Sequence, residues 1–168
     1  RVIKSLNYWF MATADRMLAN SPVTADIFLS RGFQPEKMKV VWNPIDFSVF
    51  DAVSDGIGLR TELKIDENAP LIGIVGRIAR IKCIEHFIHA SKLVSEQMPT
   101  ARFLVVGGTH GERNKAYLGE LIRLCRDLGM GDKVIFLGRR TDVPRIMKSL
   151  NLLAHTSESE GFGLAVAE

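Results

Sequence analysis

The chain is poor in the features that mark disulfide-rich, secreted and membrane-spanning proteins. Among 168 residues there are two cysteines, Cys83 and Cys125, which lie far apart and form neither a CxxC pair nor a motif with paired histidines. We therefore expect free thiols rather than a disulfide or a structural zinc site. No apolar run approaches the roughly 20 residues that cross a bilayer. The chain also lacks the continuous apolar stretch and cleavage site of a signal peptide.

The charge of the chain is nearly balanced and is spread along its length. Lys and Arg number 22 and Asp and Glu number 19, which gives a net charge of +3 at pH 7. Nucleic-acid-binding proteins carry a clustered basic stripe, so this balance argues against a nucleic-acid partner. Hydrophobic residues make up 46% of the chain, enough for a sizeable core in a domain of this length. The first residue is not Met, and we expect a fragment of a longer protein.

Short apolar segments alternate along the chain with longer amphipathic ones. This alternation predicts an α/β fold, a Rossmann-like parallel sheet with helices on both faces. Ligands of such sheets bind beyond the carboxyl ends of the strands, which selects the loops after Gly76, Val106, Leu137 and Thr156. The predicted strands are 38–42, 71–76, 102–108, 133–138 and 151–157, and the predicted helices are 21–32, 58–65, 83–98, 116–130 and 142–150. Two of these helices have an apolar face that should pack on the core: in 83–98 it consists mostly of Ile84, Phe87, Ile88, Leu93 and Val94, and in 116–130 of Leu118, Leu121, Ile122, Cys125 and Leu128.

Three cations follow the predicted strand at 71–76, in "GRIARIKC". Arg77, Arg80 and Lys82 precede a helix, where the helix dipole favours anions over cations. Cations at that end are explained if they share an anionic ligand with the backbone N–H groups. A guanidinium can bind two phosphate oxygens, and an ammonium adds a point charge. The alternative is that all three are solvated surface cations.

Glycines follow two later strands. In "VVGGTHGE", 105–112, they suggest a close backbone approach, although a tight turn alone also explains them and the GxGxxG fingerprint is absent. In "FLGRRTD", 136–142, a flat base could lie against the backbone near Gly138. The alternative there is a capping turn in which Thr141 or Asp142 caps the next helix.

Two glutamates frame a glycine turn in "SEGFGLAVAE", 159–168. Gly161 and Gly163 permit backbone conformations closed to other residues. A helix that begins near Gly163 would direct free N–H groups at a phosphate or a sugar hydroxyl. Glu168 in its second turn would lean back toward the ligand that Glu160 approaches, and carboxylates accept hydrogen bonds from sugar hydroxyls. The alternative, two glutamates that merely favour a helix start, explains neither glycine.

Together these motifs resemble the retaining glycosyltransferases of the two-domain GT-B class, in the large group 1 family, also numbered family 4. The resemblance rests on "NPID" at 43–46, "GRIARIK" at 76–82, "VVGG" at 105–108, "VIFLGRR" at 134–140 and "SEGFGLAVAE" at 159–168. It implies that residues 1–42 are the end of an N-terminal, acceptor-side domain. Residues 43–168 would then be most of the C-terminal nucleotide-sugar-binding domain, and both domains would be truncated.

The resemblance also implies a reaction. A sugar would pass from a nucleotide-diphosphate sugar to an acceptor hydroxyl with retention of the anomeric configuration. Arg77 and Lys82 would bind the diphosphate and stabilise it as the leaving group, and Glu160 would hydrogen-bond the donor sugar. No metal or other cofactor is expected, because cationic side chains and a helix N-terminus do the work of a divalent ion. The sequence has no DxD run to bind a metal-diphosphate.

Further donor contacts are implied by the same resemblance. Glu168 would hold the ribose hydroxyls. Backbone groups of Gly138 and Arg139 would meet the edge of the base. The remaining contacts to the sugar or phosphate would come from the backbone N–H groups of Phe162, Gly163 and Leu164.

Two departures from the family pattern and several expectations about partners accompany the resemblance. Cys83 stands where the family commonly has glycine, and "NPID" replaces the commoner "NG-V-D" type of turn. The acceptor would be a sugar, a lipid-linked or another hydroxyl compound, and the location cytoplasmic. Trp9 and Phe10 could touch a membrane peripherally, or could lie on a buried helix face. We expect the isolated chain to have little or no transferase activity.

Three other functions are compatible with parts of the pattern. A non-catalytic nucleotide-sugar-binding or interaction module of the same fold would need none of the reactive geometry. A GT-B-like sugar-nucleotide epimerase would lack this spacing of "EGFG" and glutamate. A glycoside hydrolase also uses two carboxylates, but it leaves the arginine and lysine at the helix start without a role.

Overall fold

The computed structural model describes residues 13–52 and 57–168, which form two compact units. The first unit contains the described residues up to Ile45 together with Glu160–Leu164. The second contains the described residues from Asp46 to Ser159 together with Ala165–Glu168. The predicted domain boundary after residue 42 stays a prediction about the parent protein.

The first unit is built around a pair of short parallel strands. Strands β1 (Met17–Ala19) and β2 (Met38–Val40) pair in register, and helix α1 (Pro22–Leu29) connects them. Ser21 caps this helix, because its hydroxyl accepts the backbone N–H of Thr24 at 3.1 Å. Ser21 as N-cap and Pro22 in the first turn are residue types typical of a helix start, and the helix predicted at 21–32 is confirmed.

The second unit carries a parallel sheet flanked by helices. Its strands are β3 (Leu71–Val75), β4 (Arg102–Val106), β5 (Val134–Gly138) and β6 (Leu152–Leu153). Among the described residues they lie in the order β5-β4-β3-β6, all parallel, which confirms the predicted α/β Rossmann-like class. The predicted strand at 151–157 is reduced to two residues. The helices that follow α1 are α2 (Ser48–Asp51), α3 (Ile57–Glu62), α4 (Ile84–Gln97), α5 (Glu112–Asp127), α6 (Val143–Ser149) and α7 (Leu164–Ala167).

The central strand β4 shows why helices cover both faces of this sheet. Side chains alternate between the faces of a strand. Phe103 and Val105 belong to the core that α4 and α5 help to form, whereas Leu104 and Val106 belong to the opposite core. All four are at most 1% exposed. An apolar run without alternation therefore encodes a strand that is buried on both sides.

Two residues that the helical pattern placed on a core face are exposed. Leu93 is 64% exposed. It lies nine residues after Ile84, which is about two and a half turns and so the opposite side of α4. Ile122 is 42% exposed on α5. The prediction was wrong for both, while Phe87 and Ile88 are buried as expected.

Candidate functional site

The loops that follow β3, β4 and β5 lie side by side at the carboxyl edge of the sheet. The backbone N–H of Gly107 donates to the carbonyl oxygen of Gly138 at 2.9 Å. The N–H of Ile78 donates to the carbonyl oxygen of Gly108 at 3.0 Å. The hydrogen-bonded order of the sheet therefore continues past the strand ends, and three of the loops predicted to meet a ligand form one surface.

Gly107 is where two of these loops approach most closely. A Cβ atom built on Gly107 would lie 1.8 Å from the carbonyl oxygen of Gly76, and its φ of +150° also favours glycine. The close backbone approach expected from "VVGG" is thus an approach to the chain's own preceding loop. Only a residue without a side chain fits between the strand ends.

A cleft of about 400 Å³ opens beside these glycines. Apolar side chains and residues of the strand-end loops together line it. Gly138 has a φ of +66°, and a Cβ built on Gly108 would lie 3.2 Å from the Cβ of Arg139. The structure therefore brings Gly138 and Arg139 together at one concave site. The lining residues are Ile78, Gly107, Gly108, Thr109, Leu118, Ile122, Phe136, Gly138 and Arg139.

The cationic segment after β3 places two of its side chains differently. Arg77 is exposed in the loop directly after the strand. Lys82 ends a 3-10 turn (Arg80–Lys82), is half-buried, and extends back along the end of β3. A Cβ built on Gly76 would lie 3.9 Å from the Lys82 Nζ atom. The Lys82 ammonium is thus held next to the carboxyl end of the strand.

The third cation of this segment is engaged within the fold. The Arg80 guanidinium donates to the Glu120 carboxylate at 2.6 Å and lies 4.9 Å from the ring centre of Tyr117. The sequence could not distinguish Arg80 from its two neighbours, because its partners are on α5, far along the chain. The idea that all three cations are merely solvated is therefore wrong for Arg80.

The backbone of the 3-10 turn is held by the segment that follows β6. The hydroxyl of Thr156 donates to the carbonyl oxygen of Lys82 at 2.8 Å. The N–H of Glu158 donates to the carbonyl oxygen of Ile81 at 3.0 Å. The fourth strand-end loop selected from the sequence thus contacts the turn that carries Lys82.

Cys83, the departure from the family pattern, has a left-handed backbone. Its φ and ψ are 46° and 47°, a region that L-residues with side chains rarely adopt. It occupies the N-cap position of α4 and makes no side-chain cap hydrogen bond. A glycine would adopt this conformation without strain, which explains why glycine suits this position.

A four-residue ion cluster anchors the loop after β5. The Arg140 guanidinium donates to Asp142 at 2.7 Å and to Glu62 at 2.8 Å, and Arg145 contacts both carboxylates. Hydrogen bonds from Arg140 hold the pKa of Asp142 at about 2, and hydrogen bonds from Arg140 and Arg145 lower the pKa of Glu62. Asp142 is at the N-cap of α6, but its side chain makes no cap bond. The alternative of a side-chain cap from Asp142 is therefore wrong, and sequence reasoning missed the cluster.

In "SEGFGLAVAE", glycine suits positions 161 and 163 for different structural reasons. Gly163 has a φ of +74°, a left-handed conformation that favours glycine. Gly161 packs closely instead, because a Cβ built there would lie 3.2 Å from the Thr24 hydroxyl and 3.3 Å from the Asn20 amide oxygen. Helix α7 begins at Leu164, directly after Gly163, as the sequence predicts.

The remaining predicted residues are distributed over the two units. Glu160 is half-buried in the first unit, and the Phe162 ring lies 5.7 Å from the Trp42 ring. Leu164 is exposed at the start of α7. Glu168 follows the last residue of α7, belongs to the second unit and is exposed. The convergence of these carboxylates with the cations after β3 stays a prediction.

Several further features of the described ranges limit the chemistry. Within them, no group of three or more His, Cys, Asp and Glu residues is placed to hold a metal ion. Cys83 and Cys125 are free thiols, and burial raises the pKa of Cys125 to about 11. None of the helices in this part of the chain is long and apolar enough to span a membrane. Trp9 and Phe10, predicted as candidates for membrane contact, lie outside the described residues.

Comparison with known proteins identifies a matching family. A family model described as "Glycosyl transferases group 1" matches residues 58–168. The chain is 30% identical over 158 residues to the D-inositol 3-phosphate glycosyltransferase of Mycobacterium sp. (strain KMS), covering 92% of this chain and 35% of the relative. It is 34% identical over 168 residues to the protein of the same name from Gordonia bronchialis, with the same coverage of 92% and 35%. The chain thus spans about a third of the length of these curated relatives.

Solved structures give the same fold. Anabaena Alr3699/HepE in complex with UDP and glucose matches with a TM-score of 0.82 and 30% identity, covering 91% of this chain and 41% of that one. Sucrose-phosphate synthase from Thermosynechococcus elongatus matches with a TM-score of 0.78 and 24% identity, covering 96% and 39%. The predicted Rossmann-like fold of the GT-B class is confirmed.

Proposed function

The chain belongs to the group 1 glycosyl transferases, and on that premise we propose that it supplies the nucleotide-sugar donor site of a transferase. The proposed reaction moves a sugar from a nucleotide-diphosphate sugar to an acceptor hydroxyl. The configuration at the anomeric carbon is retained, and no metal ion takes part.

The observation that carries the proposal is the surface formed by the loops after β3, β4 and β5. In open parallel sheets, ligands bind at this edge. The apolar cleft of about 400 Å³ suits a flat base, whose edge would meet backbone groups of Gly138 and Arg139. At the end of β3 the Lys82 ammonium supplies positive charge for a diphosphate. Base and diphosphate sites would thus lie along one row of strand ends.

Charge stabilisation is the main catalytic contribution in this proposal. The bond between the anomeric carbon and a diphosphate oxygen breaks, and the acceptor oxygen bonds to the same carbon on the same face. The proton of the acceptor hydroxyl passes to the departing diphosphate. Arg77 and Lys82 stabilise the negative charge that develops on that diphosphate, which takes the place of a metal ion. Glu160 orients the donor sugar through hydrogen bonds to its hydroxyls.

The remaining contacts hold the donor in place. Glu168 accepts hydrogen bonds from the ribose hydroxyls. The backbone N–H groups of Phe162, Gly163 and Leu164 contact the sugar or the phosphate. The left-handed φ of +74° at Gly163 supports this role, since it turns the chain directly before the first helical residue.

The named relatives suggest which ligands to test first. Anabaena Alr3699/HepE has been crystallised in complex with UDP and glucose, and curated relatives are named for D-inositol 3-phosphate. We propose a uridine nucleotide as the donor carrier and a polyol or sugar hydroxyl as the acceptor. Calorimetry with UDP, GDP and ADP tests the base directly on the 168-residue chain.

The lysine gives the sharper test of the site. We expect Lys82→Ala to weaken binding of the preferred nucleoside diphosphate about tenfold, because a charged phosphate contact is lost. In the complete transferase the same change should lower kcat about a hundredfold. Lys92→Ala is the matched control, since Lys92 forms an ion pair with the exposed Glu96 of the same helix. Equal affinities for wild type and Lys82→Ala would contradict the proposed diphosphate site.

Two product measurements test the finer points of the reaction. NMR of the product formed by the complete transferase should show the anomeric configuration of the donor sugar. EDTA should leave the rate unchanged. An inverted product would contradict the retaining mechanism, and a rate restored only by added Mg²⁺ or Mn²⁺ would contradict metal independence. Nucleotide-sugar binding without any turnover of the donor would favour the non-catalytic module of the same fold.

A further inference from the structure

Helix α4 begins without the capping side chain that helices commonly use. Cys83, its N-cap residue, accepts no hydrogen bond through its side chain. The first N–H groups of a helix have no partner inside the helix, so they must find one elsewhere. The N–H of Ile84 donates to the hydroxyl of Tyr117 at 3.0 Å. A tyrosine hydroxyl of the neighbouring helix α5 therefore accepts the hydrogen bond from an N–H group at the start of α4, in place of a capping side chain.

The Tyr117 hydroxyl is buried and has two partners. The residue is 1% exposed, and its hydroxyl donates to the Glu85 carboxylate while it accepts the N–H of Ile84. Burial, together with the hydrogen bond to the nearby Glu85 carboxylate, raises the pKa of Tyr117 well above its ordinary value. The hydroxyl therefore stays protonated, and one atom joins α5 to the first two residues of α4.

Helix α5 also contacts Arg80, the first residue of the 3-10 turn. Arg80 lies over the Tyr117 ring at 4.9 Å and donates to Glu120, which is three residues after Tyr117 on the same side of α5. Tyr117 and Glu120 thus fix both Arg80 and Ile84. The residues between these two anchors are Ile81, Lys82 and Cys83.

We propose that Tyr117 is a positioning residue for donor binding, because it fixes the 3-10 turn from which Lys82 reaches the end of β3. This inference rests on the function proposed above. Thr156 holds the carbonyl of Lys82 from the other side at 2.8 Å, so the turn is anchored on two sides. The left-handed backbone of Cys83 is strained, and such a conformation persists only where its surroundings hold it.

The smallest informative change is Tyr117→Phe. The ring and its contact with Arg80 are retained, but the Ile84 N–H and the Glu85 carboxylate lose a buried partner. The turn is then free to relax, and the Lys82 ammonium loses its fixed position. Affinity for the diphosphate should fall, whereas affinity for the nucleoside alone should not.

The experiment compares two ligands by calorimetry on the 168-residue chain. The ligands are UDP and uridine, or the corresponding pair for whichever of UDP, GDP and ADP the wild type binds most tightly. We expect Tyr117→Phe to reduce the ratio of diphosphate to nucleoside affinity about tenfold. Ser91→Ala, which also removes a buried hydroxyl from this region, is the control and should leave the ratio unchanged.

A double-mutant cycle shows whether the effect passes through Lys82. In a Lys82→Ala background, Tyr117→Phe should cause no further loss in the ratio, because the group that it positions is absent. Equal losses in both backgrounds, or an unchanged ratio in the single variant, would overturn the inference. If wild type bound none of the three nucleotides, the proposed function itself would fail. If Lys82→Ala weakened binding but Tyr117→Phe did not, only the positioning role would fail.

Discussion

Gly107 is the position where a single methyl group should disturb the candidate site most. In Gly107→Ala the new Cβ would lie 1.8 Å from the carbonyl oxygen of Gly76, at a backbone φ of +150°. The clashing atom is main chain of a residue whose N–H donates to the carbonyl oxygen of Val106 at 2.9 Å, and it cannot move aside as a flexible side chain would. The loops after β3 and β4 must separate, or the variant must unfold.

The magnitude follows from two terms. Overpacking costs about 1–3 kcal/mol, and an unfavourable backbone conformation costs about 1–3 kcal/mol. We therefore expect Gly107→Ala to lower the free energy of unfolding by about 4 kcal/mol, a large part of the roughly 5–15 kcal/mol of an ordinary domain. Urea unfolding followed by circular dichroism measures the loss, and calorimetry with UDP measures any loss of binding.

Two other glycines serve as controls because nothing lies within 4 Å of a Cβ built on either. Gly111 has a φ of 75° and a ψ of 163°, a region essentially restricted to glycine, so Gly111→Ala should cost about 1–3 kcal/mol from backbone strain alone. Gly119 lies inside α5, where an alanine should increase stability by about 0.5–1 kcal/mol. If Gly107→Ala were no more destabilising than Gly111→Ala, the close packing of the two strand-end loops would be refuted.

Two further predictions concern the turn after Lys82 and the ion cluster after β5. Cys83→Gly should raise the free energy of unfolding, measured by urea unfolding, by about 0.5–1 kcal/mol, because glycine relieves the strain of the left-handed backbone at that residue. The control Ala90→Gly, inside α4, should instead lower the free energy of unfolding by about 1 kcal/mol. A Cys83→Gly variant less stable than wild type would contradict the argument. The pKa of Asp142 is about 2 in the folded chain, against an ordinary 3.8. The ionised carboxylate therefore stabilises the folded chain at pH values above 3.8, and this stabilisation is lost as the pH falls from 3.8 toward 2. Urea unfolding across that pH range should show a steeper loss for wild type than for Asp142→Asn, and identical slopes would argue against the ion cluster.

The cores on the two faces of the sheet support different loops of the candidate site. The core on the α4 and α5 side includes Tyr117, the proposed positioning residue, and Phe103 of the central strand. The opposite core packs α3 and α6 against the sheet, and the ion cluster of Arg140 joins the ends of these helices. The loop after β3 is therefore supported by the first of these layers, and the loop after β5 by the second. A change in either core should reach the candidate site through the loop that it supports.

Much of this protein follows from its sequence alone, because the relevant forces act between near neighbours in the chain. The continuous apolar pattern of β4 requires burial on both faces, and Ser21 with Pro22 starts α1 through contacts within one turn. Gly163 indicates a left-handed backbone, and the φ angle of a residue is a local property. The group 1 resemblance also rests on the order of short motifs, and the family match confirms it.

Only the tertiary structure decided which residues meet across long separations. Gly107 lies against the Gly76 carbonyl oxygen, and the Ile84 N–H donates to the Tyr117 hydroxyl. Arg80 forms an ion pair with Glu120, whereas the Lys82 ammonium lies at the end of β3. No local pattern encodes such pairs, because a hydrogen bond or a clash depends on distance in space, and the sheet order sets that distance. The exposure of Leu93 is a different case, because the helical period itself places Leu93 on the opposite side of α4 from Ile84. Sequence supplied the elements and the kind of chemistry, and packing selected the atoms that can take part in it.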